Sequence, residues 1–201
     1  PYTTLFRSAI LNNVKSEHYK GNYDRALRTL QNAALFPLAK RALLAVNALE
    51  LAAGLQDVTV PRDASTTTAL RLAAASLVIR LAGRDEVGVG ADVIDHFQGL
   101  IDDQRDLLVR VVGLPPHESV FGRRFDPADI VEDIVILATA DRNKRKLATL
   151  VPAVAQALAK RGEGHARLVR LCVEALAHLS FEPACEPKLQ ESAPVFVPAI
   201  K

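Results

Sequence analysis

Ala and Leu recur at helical spacing along most of this chain, and Gly and Pro interrupt that spacing at short intervals. Apolar residues three and four positions apart lie on one face of a helix, and Ala and Leu are strong helix formers. Hydrophobic residues make up 49% of the 201 residues, whereas aromatic residues make up only 5%. This pattern predicts an all-α fold, and a chain of this length suits one helical domain with a sizeable core.

Gly, Pro and helix-capping residues between the periodic segments divide the chain into predicted helices and loops. Asp126, Pro127 and Asp129 form the best specified helix start, with a capping carboxylate, a proline at the first position and an acidic first turn. We expect a helical lead-in over residues 9–36 and the main domain over 37–180. Residues 181–201 contain four prolines and are predicted to be a tail or linker. Helices are predicted at 12–19, 23–35, 37–53, 66–82, 91–112, 127–140, 147–160 and 165–179.

The first eight residues, Pro-Tyr-Thr-Thr-Leu-Phe-Arg-Ser, match one reading frame of a common short-read sequencing adapter. We expect them to be translated adapter, with the natural chain starting upstream of Ala9. That origin accounts for the absence of Met, and it prevents any judgement about a targeting signal.

Charge and cysteine content narrow the classes of function. Lys and Arg number 25 against 23 acidic residues, a balance that argues against a dedicated nucleic-acid binder. Charged residues interrupt every apolar run before it reaches the length of a membrane span. Cys172 and Cys185 lack metal-type spacing, and Cys172 lies in an apolar helical pattern, which predicts a buried thiol. A reducing cytoplasm is the simplest compartment for such a chain.

Several polar groupings have both a functional and an ordinary interpretation. Asp92, His96 and Asp103 can share one helix face, which would hold a metal or form a hydrated surface. His117-Glu118 lies in a loop rich in Pro and Gly, where polar residues are either functional or solvated. The basic run at 142–146 is either a solvated face or a contact for phosphate or an acidic partner.

The run Ile136-Leu-Ala-Thr-Ala-Asp141, the pair His117-Glu118 followed by Gly122, and His96 lie between about Ala39 and Arg161. Together these motifs resemble an HD-GYP domain, a variant of the HD metal-dependent phosphohydrolases. The run at 136–141 is similar to the family's Ile-Leu-Ala-Val-Ala-Asp, whose Asp is a metal ligand. His117-Glu118 followed by Gly122 resembles the family's His-His-Glu and the loop after it, and His96 resembles its His-Pro pair. The resemblance implies an HD-like orthogonal helical bundle and, in intact members, hydrolysis of cyclic di-GMP.

Departures from the family pattern concern the metal ligands. Val78, Ile79 and Arg80 stand near the place of the His-Asp doublet, Pro116 replaces one His, and the Gly-Tyr-Pro motif is absent. Clusters of two or three cations need several His and carboxylate ligands. The resemblance leaves His96, His117 and Asp141 as metal ligands, with iron or manganese as the implied cofactor if the site is retained. Otherwise no cofactor is expected.

The resemblance, together with these departures, implies a catalytically impaired, HD-GYP-like regulatory domain of a bacterial cyclic di-GMP-type pathway. It would bind a ligand or protein partner, and the resemblance implies an upstream sensor or receiver domain. Two alternatives stay open, namely an active metal-dependent phosphodiesterase and a helical scaffold unrelated to phosphohydrolases. The residues expected to contact the ligand or partner are Glu118, Arg123, Arg124, Arg142 and Arg145.

Overall fold

The computed structural model describes residues 22–55, 64–82, 99–115, 118–121, 124–161 and 165–197. The elements within these ranges are α-helices and short 3-10 turns. The predicted all-α fold class is therefore confirmed. The chain divides into two compact units, residues 1–82 and 83–201. The predicted domain over 37–180 therefore spans the boundary between two units. No helix in the described ranges is long and apolar enough to cross a membrane.

The described part of the first unit contains four helices: α1 (Asn22–Ala33), α2 (Pro37–Ala45), α3 (Ala48–Leu55) and α4 (Ala64–Ala82). Helix α4 packs against α1 and α3, and Leu27, Leu55 and Leu70 are fully buried. The sequence predicted one helix over 37–53, but Asn47 interrupts it with a φ of 55°. Asn tolerates this left-handed conformation better than most residues, so the chain can change direction between α2 and α3.

A buried polar bridge joins α1 to α4. Gln31 donates from Nε2 to the carbonyl oxygen of Ala73 at 2.7 Å. Arg80 donates from Nη1 to the carbonyl oxygen of Gln31 at 3.5 Å, and both side chains are buried. Val78 and Ile79, beside Arg80, are also buried. The positions that resemble the place of the family's His-Asp doublet are thus occupied by aliphatic side chains and a bonded guanidinium.

The second unit contains six described helices, of which the fourth in order, α8 (Val151–Arg161), is central. They are α5 (Leu100–Gly113), α6 (Pro127–Ala138), α7 (Asp141–Leu147), α8 (Val151–Arg161), α9 (Ala166–Ser180) and α10 (Glu186–Phe196). Helix α8 packs against α5, α9 and α10, while α6 packs against α9. The fully buried side chains of Leu108, Ile134, Leu158 and Leu179 lie in the core of this unit. Burial of one apolar side chain of this size contributes about 2 kcal/mol.

The predicted start of α6 is confirmed. Asp126 accepts a hydrogen bond through Oδ1 from the backbone N–H of Ala128 at 2.9 Å, and Pro127 takes the first helical position. Arg167 at the start of α9 lies 2.8 Å from Asp129 and 3.0 Å from Glu132. These ion pairs join the first turns of two helices that pack along their length.

The prediction of a tail over residues 181–201 is wrong for its described part. A 3-10 turn covers Pro183–Cys185, and α10 follows and packs on α8. Cys185 and Ser192 are buried. Pro187 lies in the first helical turn, where a missing N–H breaks no helical hydrogen bond, so this proline is compatible with a helix.

Candidate functional site

The corner between α6 and α7 positions the motif that resembles the HD-GYP family. Helix α6 ends at Ala138, and Thr139 donates from Oγ1 to the carbonyl oxygen of Ile136 at 2.7 Å. Asn143 is buried and donates from Nδ2 to the carbonyl oxygen of Leu137 at 3.0 Å. These bonds occupy carbonyl groups that the end of α6 leaves unpaired. They also place Asp141 at the first residue of α7.

Asp141 is a solvent-exposed carboxylate that is paired with a buried lysine. Its side chain is 93% exposed, whereas that of Lys144 is 9% exposed, and Lys144 Nζ lies 2.6 Å from Asp141 Oδ1. The hydrogen bond from Lys144, followed by the attraction of its positive charge, lowers the pKa of Asp141 below its ordinary value. The carboxylate is therefore ionised at neutral pH and already has a cationic partner.

Lys144 connects α7 to the segment between α9 and α10. Its ammonium group lies 5.5 Å from the centre of the Phe181 ring, a cation–π geometry. Its carbonyl oxygen accepts a hydrogen bond of 3.5 Å from the Cys185 thiol. Burial, with a smaller contribution from Glu182, raises the pKa of the Cys185 thiol. Lys144 is thus a packing residue, although it belongs to the basic run of the sequence.

The remaining cations of α7 form its solvent-exposed face, called here the α7 basic face: Arg142, Arg145 and Lys146. Successive residues of an α-helix are about 100° apart. Asn143, Lys144 and Leu147 are buried on one side of α7, whereas the basic face lies on the other. The α7 basic face therefore places three cationic side chains at the solvent-exposed surface.

The structure describes only part of the other predicted site residues. Glu118 is exposed and its N–H donates to the carbonyl oxygen of Pro115 at 3.0 Å, and Arg124 is also exposed. His96, His117 and Arg123 lie outside the described residues. Within the described ranges no group of three or more His, Cys, Asp or Glu side chains could hold a metal. The metal triad with Asp141 stays a prediction.

Sequence reasoning missed the aromatic and sulfur partners of Lys144. Phe181 follows the end of α9 and is 80% exposed, while Cys185 is buried. A Lys three residues after an Asp is the local signal for the 141–144 pair, because such residues are neighbours on a helix. No local pattern connects α7 to Phe181, which is 37 positions further along the chain.

Comparisons with protein-family models, with curated proteins and with solved structures find no match for this chain. The resemblance to HD-GYP domains therefore rests on the sequence motifs alone and stays a prediction. The geometry of α7 bears on function independently of that resemblance, because it shows which charged side chains are buried and which are exposed.

Proposed function

We propose that this chain is a catalytically impaired regulatory domain of the HD-GYP type, which binds a phosphate-bearing ligand of the cyclic di-GMP class without hydrolysing it. The supporting observation is the 2.6 Å contact between Lys144 and Asp141. The residue that resembles a metal ligand of the family has a lysine ammonium as its partner. The same helix presents three cations to solvent.

Hydrolysis by an HD-type site requires metal ions that ionise a water molecule. A metal at Asp141 would have to displace Lys144, or share the carboxylate with its positive charge. Displacement would also separate Lys144 from the Phe181 ring. Each loss opposes metal binding, so the α7 site favours the impaired function over the active phosphodiesterase.

Binding of phosphate requires cations that are accessible and held by a rigid element. Arg142 and Arg145 lie on a helix whose opposite side is fixed by the buried residues Asn143 and Leu147. A guanidinium group binds phosphate oxygens through two parallel N–H bonds, which gives geometric selectivity as well as charge. A ligand with two phosphates can engage both arginines. We therefore assign the ligand contact to the α7 basic face.

The setting of the domain forms part of the same proposal. An upstream sensor or receiver would transmit its state to this domain, as the resemblance implies, and the complex would work in the cytoplasm. Glu118, Arg123 and Arg124 remain proposed contacts for the ligand or for a protein partner.

Titration calorimetry with cyclic di-GMP tests the proposal. We expect binding by the unchanged chain, and a loss of at least tenfold in affinity for Arg142→Ala/Arg145→Ala, because each charge-assisted contact is worth about 1.5 kcal/mol or more. Lys160→Ala/Arg170→Ala is the matched control, since it removes two exposed cations from other helices. The control should bind like the unchanged chain. Equal weakening in both variants would indicate nonspecific charge attraction and contradict the proposal.

Hydrolysis and metal content distinguish the alternatives. Turnover of cyclic di-GMP with iron or manganese, lost in His96→Ala, His117→Ala and Asp141→Ala, would establish the active phosphodiesterase instead. A chain that neither binds nor hydrolyses the nucleotide would fit the unrelated helical scaffold. The proposal expects binding without turnover.

A further inference from the structure

Helix α2 of the first unit is an apolar helix that the described residues cover only in part, since Leu43 and Leu44 are half-buried. Six of its nine residues are Ala or Leu, yet none is buried. Helices of globular proteins form mainly by burying an apolar face, because short helices are marginal on their own in water. An uncovered face of this composition indicates a surface that meets another apolar phase.

The most exposed part of this surface lies at the turn into α2 and at its end. We call it the apolar corner: Leu35, Phe36, Leu38 and Val46. Phe36 is 65% exposed and Leu38 is 80% exposed. The Phe36 N–H donates to the carbonyl oxygen of Ala33, and the Phe36 carbonyl oxygen accepts a hydrogen bond from the backbone N–H of Lys40. Pro37 fixes the first turn. The apolar side chains therefore project from an ordered backbone.

Cations accompany the apolar corner along the chain. Arg41 lies in α2 and is exposed, Lys40 lies in α2 and is half-buried, and Arg28 of α1 is exposed. The sequence contains four cations and no acidic residue between positions 25 and 49. Apolar side chains flanked by Lys and Arg are the composition of helices that lie in the interface of anionic membranes.

We propose that the apolar corner inserts into the headgroup region of an anionic lipid bilayer and attaches the first unit to a membrane surface. Charge complementarity favours lipid phosphate, which accepts cations at any position along α2. The high exposure of Phe36 and Leu38 also favours lipid, because a protein partner would need a pocket shaped for each projecting side chain. The attachment is peripheral and involves only the outer layer of the bilayer.

A single tryptophan gives a direct test, because the chain contains none. Phe36→Trp in the full chain should shift its fluorescence to shorter wavelength on addition of vesicles of phosphatidylcholine and phosphatidylglycerol. Brominated lipids should quench it. Vesicles of phosphatidylcholine alone should cause little change. An unchanged spectrum with anionic vesicles would overturn the proposal.

Vesicle flotation separates the apolar contribution from the electrostatic one. We expect Phe36→Ser/Leu38→Ser and Lys40→Glu/Arg41→Glu each to lower partitioning at least tenfold, because apolar insertion and two interfacial cations each contribute on that scale. Both variants change surface side chains, and thermal unfolding checks their fold. Val173→Ser/Val195→Ser, with two exposed valines in the second unit, should float like the unchanged chain. Flotation that persists in the Phe36 variant would overturn the proposal, as would self-association through the corner in analytical ultracentrifugation.

Discussion

The pairing of Asp141 with Lys144 predicts unequal consequences for the removal of its two members. Asp141→Ala leaves Lys144, whose side chain is 9% exposed, with the Phe181 ring as a described neighbour of its ammonium group. Lys144→Met removes that ammonium group and keeps a side chain of similar length. A variant that leaves a buried charge without its partner loses more stability than a variant that removes the buried charge itself. We expect Asp141→Ala to be the more destabilising change.

The magnitude follows from the burial of each side chain. The Asp141 carboxylate is almost fully exposed, so solvent screens its attraction to Lys144, and pairs of this kind contribute little to stability. Asp141 also lies in the first turn of α7, where an acidic side chain is favourable. We expect a modest, measurable loss of stability for Asp141→Ala and almost no change for Lys144→Met.

A double-mutant cycle isolates the coupling between the two residues. Urea unfolding of the unchanged chain, both single variants and the double variant should give a favourable coupling free energy that differs measurably from zero. Because Lys144 lowers the pKa of Asp141, the coupling is fully present above the ordinary Asp pKa. It disappears as the pH falls through the lowered value. A coupling of zero at neutral pH would refute the assignment of Lys144 as the partner of Asp141.

Three further predictions concern the second unit. Burial raises the pKa of the Cys172 thiol from about 9 to about 12. The unfolding free energy should therefore fall by up to roughly 4 kcal/mol as the pH rises between these values. Urea unfolding measured against pH should show that Cys172→Ala removes this loss. Gln104 is buried and its Oε1 has no hydrogen-bond partner within the described structure. Gln104→Leu should therefore raise the unfolding free energy by about 1 kcal/mol in the same assay. A decrease would show that the oxygen accepts a hydrogen bond in the folded protein. Deletion of residues 183–201 should lower thermal stability by about 2 kcal/mol or more, because α10 packs on α8; a true tail would leave stability unchanged.

The helices that could be predicted from the sequence are those with both an apolar period and a terminal signal. Asp126 and Pro127 determine the start of α6 by a capping bond and a fixed φ, both of which are local. The predicted helix over 165–179 agrees with α9, Ala166–Ser180, because its apolar residues keep one face. The buried thiol of Cys172 was predicted for the same reason and is confirmed.

The missed elements depend on contacts between distant segments. Helix α7 has the sequence Asp-Arg-Asn-Lys-Arg-Lys-Leu, in which no apolar period exists, and its burial uses Asn143 and Lys144. Helix α10 contains Pro194 in its interior, which normally breaks a helix. Packing against α8 stabilises it nevertheless. Sequence periodicity does not report the packing of α7 or of α10 against other helices, so neither helix could be predicted from it.

The site could be predicted only as a set of residue types. The sequence indicated that Asp141 and the basic run lie together, since they are adjacent in the chain. It could not indicate that Lys144 turns inward while Arg142 and Arg145 face solvent, because that division depends on which side of α7 packs against the unit.

Calorimetric titration of cyclic di-GMP, combined with a product assay in the presence of manganese, tests the central claim most directly. Saturable binding that depends on Arg142 and Arg145, with no linear dinucleotide formed, is the result expected of an impaired regulatory domain. Formation of the linear dinucleotide, abolished by Asp141→Ala, would contradict the claim and show that Asp141 binds a catalytic metal.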